Sequence, residues 1–192
     1  MDDGMGDAAF RQLLLREEDL EESFFGEEPS AAYDPVFVSG DESGRAIVDL
    51  TNMLTHGTHP DTTHHASALF TNIVGSVVFH HVARFGNGAC RQVYREFSDA
   101  VRDCARYRMG LNDGVELDIT RVGLEPVELG DGGFLARWSS TVDQFRVETA
   151  WVIVRKDDVL TFVNTRIPDD ESEIHRLARV AVGRVAEPTG TS

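Results

Sequence analysis

The side chains best suited to chemistry in this chain are its histidines, four of whose seven fall within THGTHPDTTHH at 55–65. Zinc asks for three or four ligands converging at about 2.1 Å, and His56, His59 and His64 are the candidate set, with His65 and Asp61 alongside. Their spacing has neither the helical repeat of H-E-x-x-H nor the pairing of C-x-x-C, and Gly57 and Pro60 mark a turn. The stretch therefore reads first as a polar loop, and no metal is favoured. His80 and His81 are different, because VVFHHVARF at 77–85 reads as a strand, where neighbours face opposite sides. The simplest account is a core histidine satisfied by a neighbour. If His81 lines a cavity, its ordinary pKa of about 6.5 suits a general base, which makes it the candidate catalytic residue.

A second constellation is aromatic. Trp138 and Trp151 fall on the apolar faces of two strands expected to be adjacent, and Phe162 follows on the next. With Phe79 and His81 they form the candidate wall of a pocket for an apolar or amphipathic guest. Other signatures are absent from the sequence: no G-x-G-x-x-G, no G-x-x-x-x-G-K and no G-x-S-x-G. GNG at 86–88, ahead of a helix, reads as a turn more than as an anion cradle.

These residues need elements to hold them. The clearest helix is 89–106, whose Cys90, Val93, Phe97, Val101 and Cys104 recur every three or four residues. Its two cysteines would lie about 21 Å apart along the axis, so they read as unlinked core residues. A second amphipathic helix closes the chain with the stripe Ile174, Leu177, Ala178, Ala181, Val182 and Val185, opened by Asp170 and Glu173 after Pro168. Strands are expected over 67–85 (two, broken near Gly75), 115–122, 133–140 and 145–154, then VLTFVNT after an Asp-rich turn. Short extended segments are expected at 36–38 and 46–50, and a short helix or turn near 16–22 carries a solvated acidic run. The expected fold is α+β and two-layered: a curved antiparallel sheet of about five to seven strands with two main helices on one face. One domain is expected over 10–187, between a disordered acidic leader (1–9) and a loose tail (188–192).

The formal charge of -15, from 33 acidic against 18 basic residues, disfavours nucleic acid and anionic membranes as partners. No run of apolar residues is long enough to span a membrane, and MDDGMGDAAF has no signal-peptide character. Read as given, the chain is expected to be cytoplasmic, or extracytoplasmic if it is a trimmed piece.

The order of parts resembles the actinobacterial sensor-type extracellular domain found at the C-terminus of some membrane serine/threonine kinases and in related lipoproteins. The likeness runs through LLLREEDLEESF at 13–24, VVFHHVARFGNGA at 77–89 and the helix CRQVYREFSDAVRDCARY, with Cys104 near its end. It continues in AWVIVRKDDVLTFVNT and IHRLARVAVGRVA. The resemblance implies export, a disulfide and a cleft for an extracellular ligand. Against it, no export segment is visible, and Cys90 shares a helix with Cys104. The resulting expectation is a sensor-like domain that binds a small apolar or amphipathic molecule, with no cofactor. Two alternatives stand beside it: a cofactor-independent biosynthetic enzyme of cyclase or isomerase type using the same pocket, and a protein-interaction domain acting through 17–28.

Overall fold

Along FRVETAWVIVRK the alternation gives way at Ala150 to an unbroken run, Ala150 to Val154, and a strand apolar on both sides must be covered on both sides. All five side chains of that run are buried. A computed structural model describes residues 9–20, 23–27, 38, 39, 41, 42, 44–110, 116–142, 144–166 and 171–186. Nine strands pair antiparallel throughout: β1 (Phe24–Glu27), β2 (Val38–Ser39), β3 (Thr62–Asn72), β4 (Val77–Phe85), β5 (Arg106–Gly110), β6 (Glu116–Val127), β7 (Gly132–Val142), β8 (Phe145–Lys156) and β9 (Val159–Arg166). Their order is β1-β3-β4-β9-β8-β7-β6-β5-β2, so the sheet is open, with β1 and β2 as its edges.

Among the described residues three α-helices of three turns or more cover it, and they do so from two sides. Helices α1 (Arg45–His56) and α2 (Ala89–Asp103) share a core with Phe134, Ala136, Trp138, Trp151, Ile153, Leu160 and Phe162. Helix α3 (Glu171–Ala186) packs on the residues between them in sequence, Leu135, Val152, Val154 and Val163. Strict alternation along β7, β8 and β9 assigns these two sets to opposite faces.

This corrects the expected fold in three respects. Among the described residues the sheet has nine strands and is open, where a curved sheet of about five to seven was expected. The two helices expected on one face lie on opposite faces, which makes three layers instead of two. The third helix, α1, occupies 45–56, where 46–50 was expected to be extended. Its stripe Ile47, Val48, Thr51 and Leu54 has helical spacing, and Gly57 at φ 62° supplies the left-handed stop that only glycine adopts cheaply. The α+β class and antiparallel pairing stand. The strands expected from 67 onward are present, with β3 starting earlier, at Thr62, so that His64 and His65 lie on a strand and not in a loop. Most of the leader, the tail, Asp170, Pro168 and the extended residues 36–37 lie outside the described residues.

The chain ahead of β1 closes the α3 side. Phe10, Leu13 and Leu14 pack on Ala66, Val82 and Val159, with Val185 from the last turn of α3 against them. Within the acidic run Asp19 is mostly buried: its carboxylate accepts from Arg184 Nε and Nη2 at 3.0 and 2.7 Å, and its carbonyl accepts from Arg176 at 2.6 Å. Glu17 caps the edge strand by accepting from the Gly26 amide at 2.7 Å.

Candidate functional site

On the α1 side the sheet carries a row of rings crossing from strand to strand. His65 on β3 stacks with His81 on β4 at 6.2 Å, and His81 with Phe162 on β9 at 5.8 Å. Phe162 meets Trp151 on β8 at 5.7 Å, Trp151 meets Trp138 on β7 at 5.2 Å, and Trp138 meets Tyr107 on β5 at 5.3 Å. Register explains the row: His81 pairs with Phe162, and Trp151 lies one diagonal step from the pairing of Trp138 with Thr149. Phe79 stacks on His81 at 6.2 Å. All five candidate ligand-binding residues, Phe79, His81, Trp138, Trp151 and Phe162, therefore share one face.

Helix α1 spans this row from end to end. At its start, a Cβ on Gly44 would lie 2.6 Å from Tyr107 Cβ, and past its end a Cβ on Gly57 would lie 2.6 Å from His65. Both helix ends thus press their backbone onto the two end members of the row. Alongside, α2 sets Phe97 against Phe134, Trp151 and Phe162 at 6.1 to 6.2 Å. Beneath the end of α2, Arg121 donates through Nη1 to the carbonyls of Val101, Arg102 and Cys104, satisfying groups that a helix leaves open.

Gly44 has an ordinary φ of -84°, so only crowding opposes a side chain there. Gly44→Ala is expected to lose about 1–3 kcal/mol of stability in urea unfolding, the usual cost of an overpacked contact. A variant as stable as the parent would show that α1 is not seated on Tyr107.

The polar content of the seam between α1 and the rings is unusual. Tyr107 Oη, Trp138 Nε1, Thr51 Oγ1 and His81 Nδ1 are buried without a hydrogen-bond partner in the protein. Their residues are 1%, 1%, 5% and 8% exposed. A buried polar atom left unmatched costs about 1–3 kcal/mol, so four in one seam call for an explanation. Burial, followed by the neighbouring His65, His80 and His56, holds His81 down at about 3. At neutral pH its imidazole is uncharged, a hydrogen-bonding group first and a weak base second, since a general base works best with a pKa near the working pH. Burial likewise raises the Tyr107 phenol, which stays protonated.

The other histidines scatter. His56 ends α1, above the row. His59 accepts from the Asp61 amide at 3.1 Å and sets its ring edge on Phe85. His64 faces the other side of the sheet, 5.5 Å from Phe10. The candidate metal set His56, His59 and His64 is thus divided by the sheet, and among the described residues no group of three His, Cys, Asp or Glu is placed to hold a metal ion. His80 also faces away, its Nδ1 accepting from the Leu15 amide at 2.9 Å. Cys90 and Cys104 are buried and not joined in a disulfide, and burial raises the Cys90 thiol to about 12, as befits an inert core residue.

Sequence reading missed Tyr107, Thr51, His65 and Phe97 as parts of this site. Tyr107 did leave a signal: in RYRMG it is the one ring between two arginines, the period of a strand with one covered face. Thr51 was hidden by the misreading of α1.

No family model and no curated protein matches this chain. Among solved structures, the extracellular domain of PknH from Mycobacterium tuberculosis superposes with a TM-score of 0.67 at 11% identity, covering 90% of this chain and 92% of that one. The likeness expected from the order of parts is therefore present at the level of the scaffold. Identity this low carries the fold and not the chemistry. Among the described residues no helix is long and apolar enough to cross a membrane.

Proposed function

We propose that the chain is a ligand-binding domain of the sensor type, taking a small apolar or amphipathic molecule into the seam between α1 and the ring row. The observation that carries this reading is the set of four unmatched polar atoms within an otherwise apolar, aromatic seam. Binding sites have this composition, with many rings and a few polar groups that fix orientation. The shared scaffold with an extracellular domain supports the same reading and an extracytoplasmic setting. The interaction reading through 17–28 is less well supported, because Glu17 and Asp19 at its start are engaged within the fold. The enzymatic reading asks His81 to act as a base although burial weakens it.

The chain's two tryptophans, Trp138 and Trp151, both stand in the row, so their emission reports on the seam alone. N-phenyl-1-naphthylamine, an uncharged apolar probe, is expected to quench that emission saturably by energy transfer and to raise the melting temperature through linkage. Thr51→Met, which fills the seam from α1, should weaken the probe about tenfold or more. Quenching that does not saturate, or that is indifferent to Thr51→Met, would overturn the reading.

A further inference from the structure

The seam's unmatched atoms are not chemically neutral in what they ask for. Trp138 Nε1–H can only donate, and the hydroxyls of Tyr107 and Thr51 can donate as readily as accept. Trp138 and Tyr107 stand together at one end of the row, rings 5.3 Å apart and edge-on at 88°. Toward the middle, Trp151 and Phe162 pack ring on ring with Phe97 of α2, and Trp151 Nε1 is not among the buried unmatched atoms. The seam is therefore polar and donating at its β5–β7 end and apolar at its centre.

Charge is missing from it. The buried polar residues among those described are Thr51, Ser76, His80, His81, Thr161 and Thr165, with no Lys, Arg, Asp or Glu among them. The cation paired in register with Trp138 is Arg121, and it turns its Nη1 to the carbonyls that close α2. A carboxylate or an ammonium brought here would lose its water with no buried charged side chain to receive it.

We infer that the guest is an uncharged molecule bearing a hydrogen-bond-accepting oxygen, of the ketone, ester or ether kind, held by Trp138 and Tyr107, with its hydrocarbon body over Trp151 and Phe162. This rests on the ligand-binding reading of the same seam and adds the chemical class of the ligand. An accepting oxygen satisfies the one group that cannot be satisfied any other way. The uncharged state avoids a penalty that nothing in the seam offsets.

Four probes of equal length separate the possibilities on the full chain at pH 7: 2-undecanone, undecane, undecanoate and undecylamine, each titrated against tryptophan emission. The ketone is expected to bind at least about tenfold tighter than undecane, the worth of one well-made hydrogen bond to a buried donor. It should exceed the two charged probes by more. Trp138→Phe keeps a ring and removes the N–H, and there the ketone's advantage over undecane should fall to within about threefold, with Trp151 reporting. Tyr107→Phe makes the same test while leaving both tryptophans in place. Undecanoate or undecylamine binding as tightly as the ketone would overturn the inference and leave the seam a binding site. So would undecane matching the ketone, or a ketone advantage that survives both variants. No saturable response to any of the four would overturn the seam reading together with it.

Discussion

Asp19→Ala is expected to cost about 3–5 kcal/mol of stability, more than any other single change outside the hydrophobic core. The carboxylate and its partner Arg184 are 12% and 18% exposed, and the pair is bidentate, with Arg184 Nη2 2.6 Å from Oδ2. Oδ2 also accepts from the Arg16 amide at 2.8 Å, which fixes the turn that leads the chain toward β1. Removing the carboxylate strands the guanidinium, whose other carboxylate, Glu18, lies 3.9 Å away and is largely solvated. Breaking one partner of a buried pair costs more than removing both, so Arg184→Met added to Asp19→Ala should recover much of the loss. The signature is local as well as global. The Leu15 amide, which donates to His80, should exchange with solvent far faster in Asp19→Ala. Urea unfolding of the two variants, with exchange at Leu15, checks this; a cost under about 1 kcal/mol would mean that the pair behaves as a surface bridge.

His81→Phe is expected to make the protein resist acid. Burial holds both His80 and His81 at about 3, well below the ordinary 6.5; for His80, Arg184 adds to the depression and Asp19 opposes it. A folded-state pKa below the unfolded one means that both imidazoles stay neutral in the fold and take up protons on unfolding. Their contribution to stability is complete above pH 6.5 and is lost as the pH falls toward 3. Near pH 5 the two together should set a slope of roughly 2.7 kcal/mol per pH unit. Phenylalanine in place of His81 joins Phe79 and Phe162 without a titrating group, so at pH 8 its stability should lie within about 1.5 kcal/mol of the parent. Between pH 8 and pH 5 the variant should gain about 2 kcal/mol on the parent. Carboxylates common to both proteins cancel in that difference. Urea midpoints at the two pH values check it, and parallel losses in variant and parent would contradict it.

The elements were more legible than the layers. The stripe of α2 and the alternation of β6 to β9 are local patterns, and each appears close to where the residues place it. A stripe says that a helix must be covered but not which side of a sheet covers it. That information lay in the strands: Ala150–Val154 is apolar at every position, which a sheet wet on one side does not permit. Helix α1 was lost because Ile47 and Val48 read as extended residues, whereas Thr51, Leu54 and the stop at Gly57 complete a helical face.

The site followed the same division. The five aromatic positions named from strand parity do share a face, because parity survives any choice of layer. Their cover was only partly foreseen: both main helices were expected on that face, where α2 does lie with Phe97, while the closing helix packs on the other side and α1 joins α2 in its place. His64 and His65 looked like two ligands of one loop; on β3 they are neighbours that face opposite sides, and only His65 joins the row.

The central claim is that α1 lies across a row of rings and receives a guest beneath it. A crystal structure of the full chain with N-phenyl-1-naphthylamine tests it most directly. The account predicts density for the naphthyl group within the seam, against the rings of Trp151 and Phe162, with Gly44 still seated on Tyr107. Density for the probe on an outer surface, above a seam closed by its own side chains, would contradict it.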